Sequence, residues 1–84
     1  MTMTDFQRVT LKQISYFLAV AEHGSLRRTA DRLDVTQPTL TAQIAALEKA
    51  LDVQLFERSR HGTSLSAAGR ELLVSGRRVW VYQA

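Results

Sequence analysis

The chain has 84 residues, of which 45% are apolar, and it carries 11 Lys and Arg against 8 Asp and Glu, a formal net charge of +3. This length predicts one compact core without a second folding unit, and it leaves little room for a buried catalytic site. The sequence contains no cysteine, which excludes disulfide bonds and thiolate metal sites and is compatible with a reducing cytoplasm.

Several further absences argue against a membrane protein, an exported protein and an enzyme. No apolar stretch approaches the roughly 20 residues that span a bilayer, and residues 1–10 lack the basic and apolar regions of a signal peptide. There is no phosphate-binding glycine loop, and His23 and His61 lack the paired spacing of a metal site. We therefore expect a soluble, cytoplasmic protein that is not an enzyme and uses no cofactor or metal.

The first half of the chain predicts two helices in close succession. Apolar residues recur at helical spacing over roughly 11–22, with Thr10 as the N-cap and Gly24 as a stop. Ser25 is a candidate cap for a short second helix that ends at Asp34, one of the few residue types that tolerate a left-handed backbone. The residues of this helix that we expect to face inward are Leu26, Ala30 and Leu33.

A third, longer helix is predicted at about 37–51. Thr36 is its candidate N-cap, and Pro38 falls in the first turn, where its missing N–H costs nothing. Two helices separated by so short a turn, the second opened by Thr-Gln-Pro-Thr, form a helix-turn-helix arrangement. Val35, Leu40 and Ile44, together with Leu33, would supply the apolar contacts that fix the crossing of these helices.

The N-terminal half of the outer surface of the third helix is uncharged, since no charged residue occurs from Val35 to Leu47, and Lys49 lies farther along the same side. A surface of Gln, Thr and Ala can enter a DNA major groove closely, so that Gln37 or a Thr hydroxyl bonds base edges. Two structural alternatives stand beside this interpretation. The small residues can instead pack under another helix, and Thr36 can serve only as a cap. For the small residues we expect DNA contact and internal packing each to hold in part, with the first turns of the helix facing DNA and Ala46 packing inside.

Two short strands, about 55–58 and 63–65, predict a hairpin around the polar segment that contains Gly62. Such a loop suits a wing that reaches a minor groove or the phosphate backbone, with Arg60 and His61 at its tip. Arg58 either joins that contact or anchors the hairpin through a salt bridge. The section from Arg58 onward has five arginines and one acid, which fits a polyanionic partner or a merely solvated basic surface.

A fourth helix is predicted from Ser66, its candidate cap, to the end of the chain. Its apolar stripe consists of Leu72, Leu73, Gly76, Val79 and Trp80. Leu72 and Leu73 can cover the domain's own core, whereas Val79 and Trp80 lie far beyond the hairpin and suggest a partner helix. We therefore expect a dimer whose interface includes Leu72, Leu73, Val79 and Trp80.

Six short pieces of sequence occur in a characteristic order and spacing between Leu11 and Trp80, which is more than four-fifths of the chain. They are Phe17-Leu18-Ala19-Val20-Ala21-Glu22 with Gly24-Ser25-Leu26, Ala30-Asp31-Arg32-Leu33, Thr36-Gln37-Pro38, Leu47-Glu48, Leu55-Phe56-Glu57-Arg58, and Leu65-Ser66-Ala67-Ala68-Gly69. Together they resemble the N-terminal region of LysR-type transcription regulators. Each piece alone would be weak, but the ordered set is highly specific.

The resemblance implies a winged helix-turn-helix, a linker helix that pairs two subunits, and a C-terminal effector-binding domain that this chain lacks. It also implies that Gln37, Pro38, Thr39 and Thr41 approach DNA, assisted by Arg60 and His61. The chain departs from the family pattern at two positions. Ala42 stands where the family often has Arg, and His61 stands where Arg is usual before the wing glycine.

The sequence thus predicts a mainly α protein, a winged helix-turn-helix of three helices and a short β-hairpin followed by a linker helix. Residues 1–65 would form the DNA-binding domain and residues 66–84 a truncated linker and dimerisation helix. The predicted function is sequence-specific binding of double-stranded DNA by a homodimer on a partly palindromic operator, through Thr36, Gln37, Pro38, Thr39, Thr41, Arg58, Arg60 and His61. A small-molecule effector would act only through the missing domain. The alternative is a winged-helix module that binds proteins and no DNA.

Overall fold

A computed structural model describes residues 8–83 of the protein, and the side chains of residues 8–76. Within these residues there are four helices and one two-stranded antiparallel sheet. In chain order the elements are α1 (Leu11–His23), α2 (Leu26–Leu33), α3 (Gln37–Leu51), β1 (Phe56–Ser59), β2 (Gly62–Leu65) and α4 (Ala67–Gln83). The fold is a winged helix-turn-helix, as the sequence predicted.

A hydroxyl side chain begins each of the four helices by accepting a hydrogen bond from a backbone N–H of the first turn. The four cap residues are Thr10, Ser25, Thr36 and Ser66. At α1 the contact is reciprocal, because the Gln13 side chain also accepts a hydrogen bond from the Thr10 backbone N–H. Each cap satisfies one N–H that the helix itself cannot pair, which explains why sequence predicted the starts of the helices well.

Three helices end at a residue with a left-handed backbone. Gly24 ends α1 at φ 68°, Asp34 ends α2 at φ 56°, and Asp52 ends α3 at φ 55°. Their backbone N–H groups donate to carbonyls of the last helical turn, as in glycine-type C-caps. The prediction that Asp34 tolerates this conformation in the turn is confirmed.

The core lies where the three first helices meet the hairpin. Phe17, Leu40, Leu47 and Leu55 are completely buried there. The ring of Phe17 packs on Phe56 of β1 with centroids 5.3 Å apart and a tilt of 44°, a favourable geometry for aromatic pairs. These contacts hold α1 behind α3, so that the opposite side of α3 is free to form a binding surface.

The inner face of α2 differs from the prediction at Leu33. Leu26 and Ala30 are buried as expected, but Leu33 is 37% exposed. Thr29 is completely buried instead, because its hydroxyl donates to the Ser25 carbonyl over 2.7 Å and so needs no water. Leu33 is the last residue of α2, and Val35, beyond the turn, packs against the core in its place.

The first strand of the hairpin lies one residue later than predicted, whereas the second begins one residue earlier than predicted and ends at the predicted residue. Phe56 pairs with Leu65 and Ser59 pairs with Gly62, which leaves Arg60 and His61 as the turn. Leu55 is not part of the ladder, because its N–H donates to the Glu48 carboxylate of α3 over 2.7 Å. We call residues 56–65 the wing.

The wing is attached to the turn between α1 and α2. The Thr63 N–H donates to the Gly24 carbonyl over 3.4 Å. Gly62 has φ 122°, a conformation that favours glycine, and a Cβ at this position would lie 3.4 Å from the same carbonyl. The close approach of the two backbones therefore fixes where the wing stands relative to the helices.

Candidate nucleic-acid interface

The N-terminal half of the outer surface of α3 forms an open, uncharged depression. Its lining consists of Gln37, Pro38, Thr41, Ala42 and Ala45, and its volume is about 530 Å³. We call these five residues the outer face of α3. Thr41 is half-buried and the other four are exposed, so that the predicted contact residues Gln37, Pro38 and Thr41 are accessible and adjacent.

The prediction that Ala46 packs inside is wrong. Ala42, Ala45 and Ala46 are all exposed, so the alternative in which these small residues lie under another helix is also wrong. The buried side of α3 is formed by Leu40, Ile44, Leu47 and Ala50. The small size of the exposed alanines therefore has no packing explanation within the described part of the chain, and it leaves room for a close-fitting partner.

The first turn of α3 contains two linked hydroxyl groups. The Thr36 hydroxyl accepts from the Thr39 N–H over 3.2 Å and donates to the Thr39 hydroxyl over 2.7 Å. Thr36 is thus a helix cap, which confirms the structural alternative given for this residue. Because the Thr39 hydroxyl accepts from Thr36, its own proton remains available for a partner. Both residues are exposed.

The predicted wing residues are all exposed. Arg58 lies within β1 and pairs with Thr63, whereas Arg60 and His61 form the turn. The His61 N–H donates to the Ser59 hydroxyl over 3.1 Å, which helps to shape the tip. A groove of about 500 Å³ separates the wing from the helices, with Ile44 of α3 on one side and Arg58 on the other.

The predicted dimerisation residues are only partly described. Leu72 and Leu73 of α4 are half-buried and pack against the chain's own core. This agrees with the prediction that these two residues can cover the core of the domain. The side chains of Val79 and Trp80 lie outside the described residues. Among the other apolar residues, Val74 of α4 is 57% exposed and Val53, after the end of α3, is 38% exposed.

Within residues 8–83, no helix combines the length and the apolar character needed to cross a membrane. Among the described side chains, no three His, Asp or Glu residues come together as a possible metal site.

Comparison with known proteins decides which family has this arrangement. The model of the family described as "Bacterial regulatory helix-turn-helix protein, lysR family" matches residues 11–70, which include the whole helix-turn-helix and the wing. The chain belongs to the lysR family. Its LysR-type relatives are transcriptional regulators and not enzymes, and the chain is a LysR-type DNA-binding domain.

Individual relatives agree with this assignment. The chain is 48% identical over 68 residues to the HTH-type transcriptional regulator ClcR of Pseudomonas putida, covering 81% of this chain and 23% of ClcR. A crystal structure of a CbnR_DBD–DNA complex has a TM-score of 0.85 and 44% identity, covering 89% of this chain and 86% of that one. A BenM_DBD/catB site 1 DNA complex has a TM-score of 0.84 and 31% identity, covering 88% and 82%. The chain spans about a quarter of the length of full regulators such as ClcR.

The sequence analysis gave Glu48 and Gly69 no role of their own. The structure places both beside Leu55, at the point where α3, the wing and α4 meet. The pieces Leu47-Glu48 and Leu65-Ser66-Ala67-Ala68-Gly69 were part of the resemblance, but a carboxylate after a leucine carries no local signal of its long-range partner.

Proposed function

We propose that this chain binds a specific double-stranded DNA sequence by inserting the outer face of α3 into a major groove, with the wing at a flanking groove. The observation that carries the proposal is the exposed, uncharged depression on α3, in a domain whose wing exposes Arg58, Arg60 and His61. A solvated helix normally carries charges on such a face, whereas base edges require close approach by small polar groups. The DNA complexes of CbnR_DBD and BenM_DBD, which share this fold, support it.

The predicted residues fall into groups that have different roles in this proposal. Gln37 and Thr41 read base edges, since both line the depression, and Thr39 offers its free hydroxyl proton to a base or a phosphate. Arg58, Arg60 and His61 contact the phosphate backbone or the minor groove from the wing. Thr36 contributes mainly by capping α3, because both functions of its hydroxyl are used within the first turn.

We further propose a homodimer that pairs through α4 and binds a partly palindromic operator. An open apolar groove of about 260 Å³ lies between the end of α3 and α4 and includes Val53 and Leu72. The proposed interface residues are Leu72, Leu73, Val79 and Trp80. Residues 1–65 then act as the DNA-binding unit and residues 66–84 as the linker and dimerisation helix, in the cytoplasm, with any effector bound by a further domain.

The competing function is a winged helix that binds proteins and no DNA. An interaction module would not require an uncharged helix face beside a basic wing. Selection of bound sequences from a random duplex pool at defined salt separates the two functions. Enrichment of a symmetric motif with two half-sites supports DNA recognition by a dimer, whereas an unenriched pool contradicts sequence-specific binding.

Thr41 provides a sharper test at the level of one side chain. Thr41→Val keeps the branched shape and a methyl group but loses the hydroxyl, whereas Thr41→Ser keeps the hydroxyl. If the hydroxyl bonds a base, Thr41→Val weakens binding to the selected site by about 1–3 kcal/mol and relaxes preference at one base pair, and Thr41→Ser does not. Equal losses on selected and random duplexes would show Thr41 to be no more than an anchor.

A further inference from the structure

A carboxylate of α3 forms a hydrogen bond with the backbone segment that leads into the wing. Glu48 is half-buried in the last turns of α3, and its Oε2 atom accepts a hydrogen bond from the Leu55 N–H over 2.7 Å. Leu55 is completely buried, so this N–H has no access to water and would be costly to leave unpaired. The carboxylate therefore ties the chain that enters the wing to α3, which is the recognition helix of the proposed DNA complex.

The connection continues from Leu55 into α4 through Ser66. The Ser66 N–H donates to the Leu55 carbonyl over 2.9 Å, and the Ser66 hydroxyl donates to the Gln54 carbonyl. The same hydroxyl accepts from the Gly69 N–H over 3.0 Å and so caps α4. A continuous series of hydrogen bonds thus runs from α3, through one buried peptide segment, to the first turn of α4.

Gly69 allows α4 to approach this segment closely. A Cβ at position 69 would lie 2.2 Å from the Leu55 carbonyl oxygen and 3.0 Å from Leu65 Cδ2, and the first of these distances is far inside van der Waals contact. The helix axis therefore passes the Leu55 carbonyl at a separation that only glycine permits. Farther along α4, Gly76 packs on the side chains of Leu18 and Ile14 of α1.

We propose that Glu48, Leu55, Ser66 and Gly69 form a joint that sets the angle between the recognition helix and α4, and that this angle sets the half-site spacing the dimer prefers. Glu48, Ser66 and Gly69 are positioning residues, since they act through helix orientation and not through contact with bases. The claim about half-site spacing rests on the proposed binding of DNA by a dimer. The claim about the angle between the two helices rests only on contacts within one subunit.

The length of α4 makes the joint sensitive. Its 17 residues extend over about 25 Å at ~1.5 Å per residue. A rotation of about 10° at the first turn would displace the far end by about 4 Å over that length. Two subunits joined through α4 would add their displacements to about 8 Å, which is more than twice the ~3.4 Å between neighbouring base pairs along DNA.

The first experiment measures the angle without DNA. Because the chain contains no cysteine, the exposed positions Ala45 on α3 and Val74 on α4 can be replaced by cysteine and spin-labelled. Labelled chain is diluted with unlabelled chain, and pulsed electron–electron dipolar spectroscopy gives the distance distribution. Glu48→Ala should broaden or shift the distribution by a few ångströms, whereas Glu48→Gln, which keeps an acceptor oxygen, should retain the original one.

Ser66 supplies a second pair of variants in case Glu48→Ala does not fold. Ser66→Ala loses the link to Gln54 and the cap of α4, whereas Ser66→Thr keeps the hydroxyl. All variants are measured at a temperature at which circular dichroism shows native helicity. An unchanged distance distribution in the folded alanine variants would overturn the joint, because a residue that only adds stability would leave the angle intact.

The second experiment measures spacing on DNA. Duplexes with one half-site, and duplexes with two half-sites at varied separation, are titrated with the original chain and the same variants. We expect the alanine variants to keep single half-site affinity but to bind the best two-site duplex at least tenfold less tightly, or to prefer another separation. Equal weakening on both kinds of duplex would contradict the role in spacing. If the original chain prefers no DNA sequence, the proposed function is wrong. The distance measurement still tests whether the joint sets the angle between α3 and α4.

Discussion

Replacement of Gly69 by alanine tests how closely α4 approaches the wing. The added Cβ would lie 2.2 Å from the Leu55 carbonyl oxygen, so α4 must move by about 1.3 Å to restore a contact of roughly 3.5 Å. Gly76→Ala is the matched control within the same helix. A Cβ there would lie 3.4 Å from Leu18 Cδ2 and 3.5 Å from Ile14 Cγ2, which flexible side chains can accommodate.

The expected magnitudes follow from these distances. Overpacking at Gly69 costs about 1–3 kcal/mol, and displacement of α4 weakens the Ser66–Leu55 hydrogen bond, worth about 1 kcal/mol. The higher helix propensity of alanine offsets up to about 1 kcal/mol. Gly69→Ala should therefore lower the free energy of unfolding by about 1–3 kcal/mol and the Tm by roughly 5–20 °C. Gly76→Ala should leave stability unchanged or raise it by up to about 1 kcal/mol.

Urea and thermal unfolding followed by circular dichroism measure both variants under the same conditions. Equal stability of Gly69→Ala and Gly76→Ala would refute the reasoning, because both substitutions gain the same intrinsic propensity and only one meets a backbone carbonyl. A smaller m-value for Gly69→Ala alone would indicate that α4 detaches in the native state, and it would support the same cause.

Three further predictions concern the wing, a helix end and the core. Arg60→Ala should weaken binding to all duplexes and reduce the slope of log affinity against log salt by about one, as measured by fluorescence anisotropy at several salt concentrations; an unchanged slope would remove Arg60 from the phosphate contacts. Asp52→Gly should raise the free energy of unfolding in urea by about 0.5–1 kcal/mol, because glycine adopts the positive φ of this position without strain. Asp52→Ala is its control and should destabilise. Phe17→Ala should cost about 3–5 kcal/mol in the same assay, since the ring is completely buried against Phe56; a loss below about 1 kcal/mol would contradict the assigned core.

The boundaries of the helices were predictable because the signals that set them are local. Thr10, Ser25, Thr36 and Ser66 each bond a backbone N–H three residues away, and such a contact is readable from the sequence alone. The accessible face of α3 was predictable for the same reason, since helical periodicity assigns Leu40, Ile44 and Leu47 to the opposite side.

The burial of individual side chains was harder to predict. Ala46 was expected inside and is exposed, and Leu33 was expected inside and is 37% exposed. Periodicity states which residues share a face, but not how far a neighbouring helix extends over that face. The completely buried Thr29 was missed, because a polar residue can be buried when a local backbone carbonyl accepts its hydroxyl proton.

The order of the elements, the helix caps and the uncharged outer face of α3 were determined by the sequence alone, because each depends on residues within a few positions of one another. The joint at Leu55 was decided only by the tertiary structure. Glu48, Leu55, Ser66 and Gly69 are spread over 22 positions of the chain, and a hydrogen bond or a close approach between such residues exists only after the helices and the wing have packed.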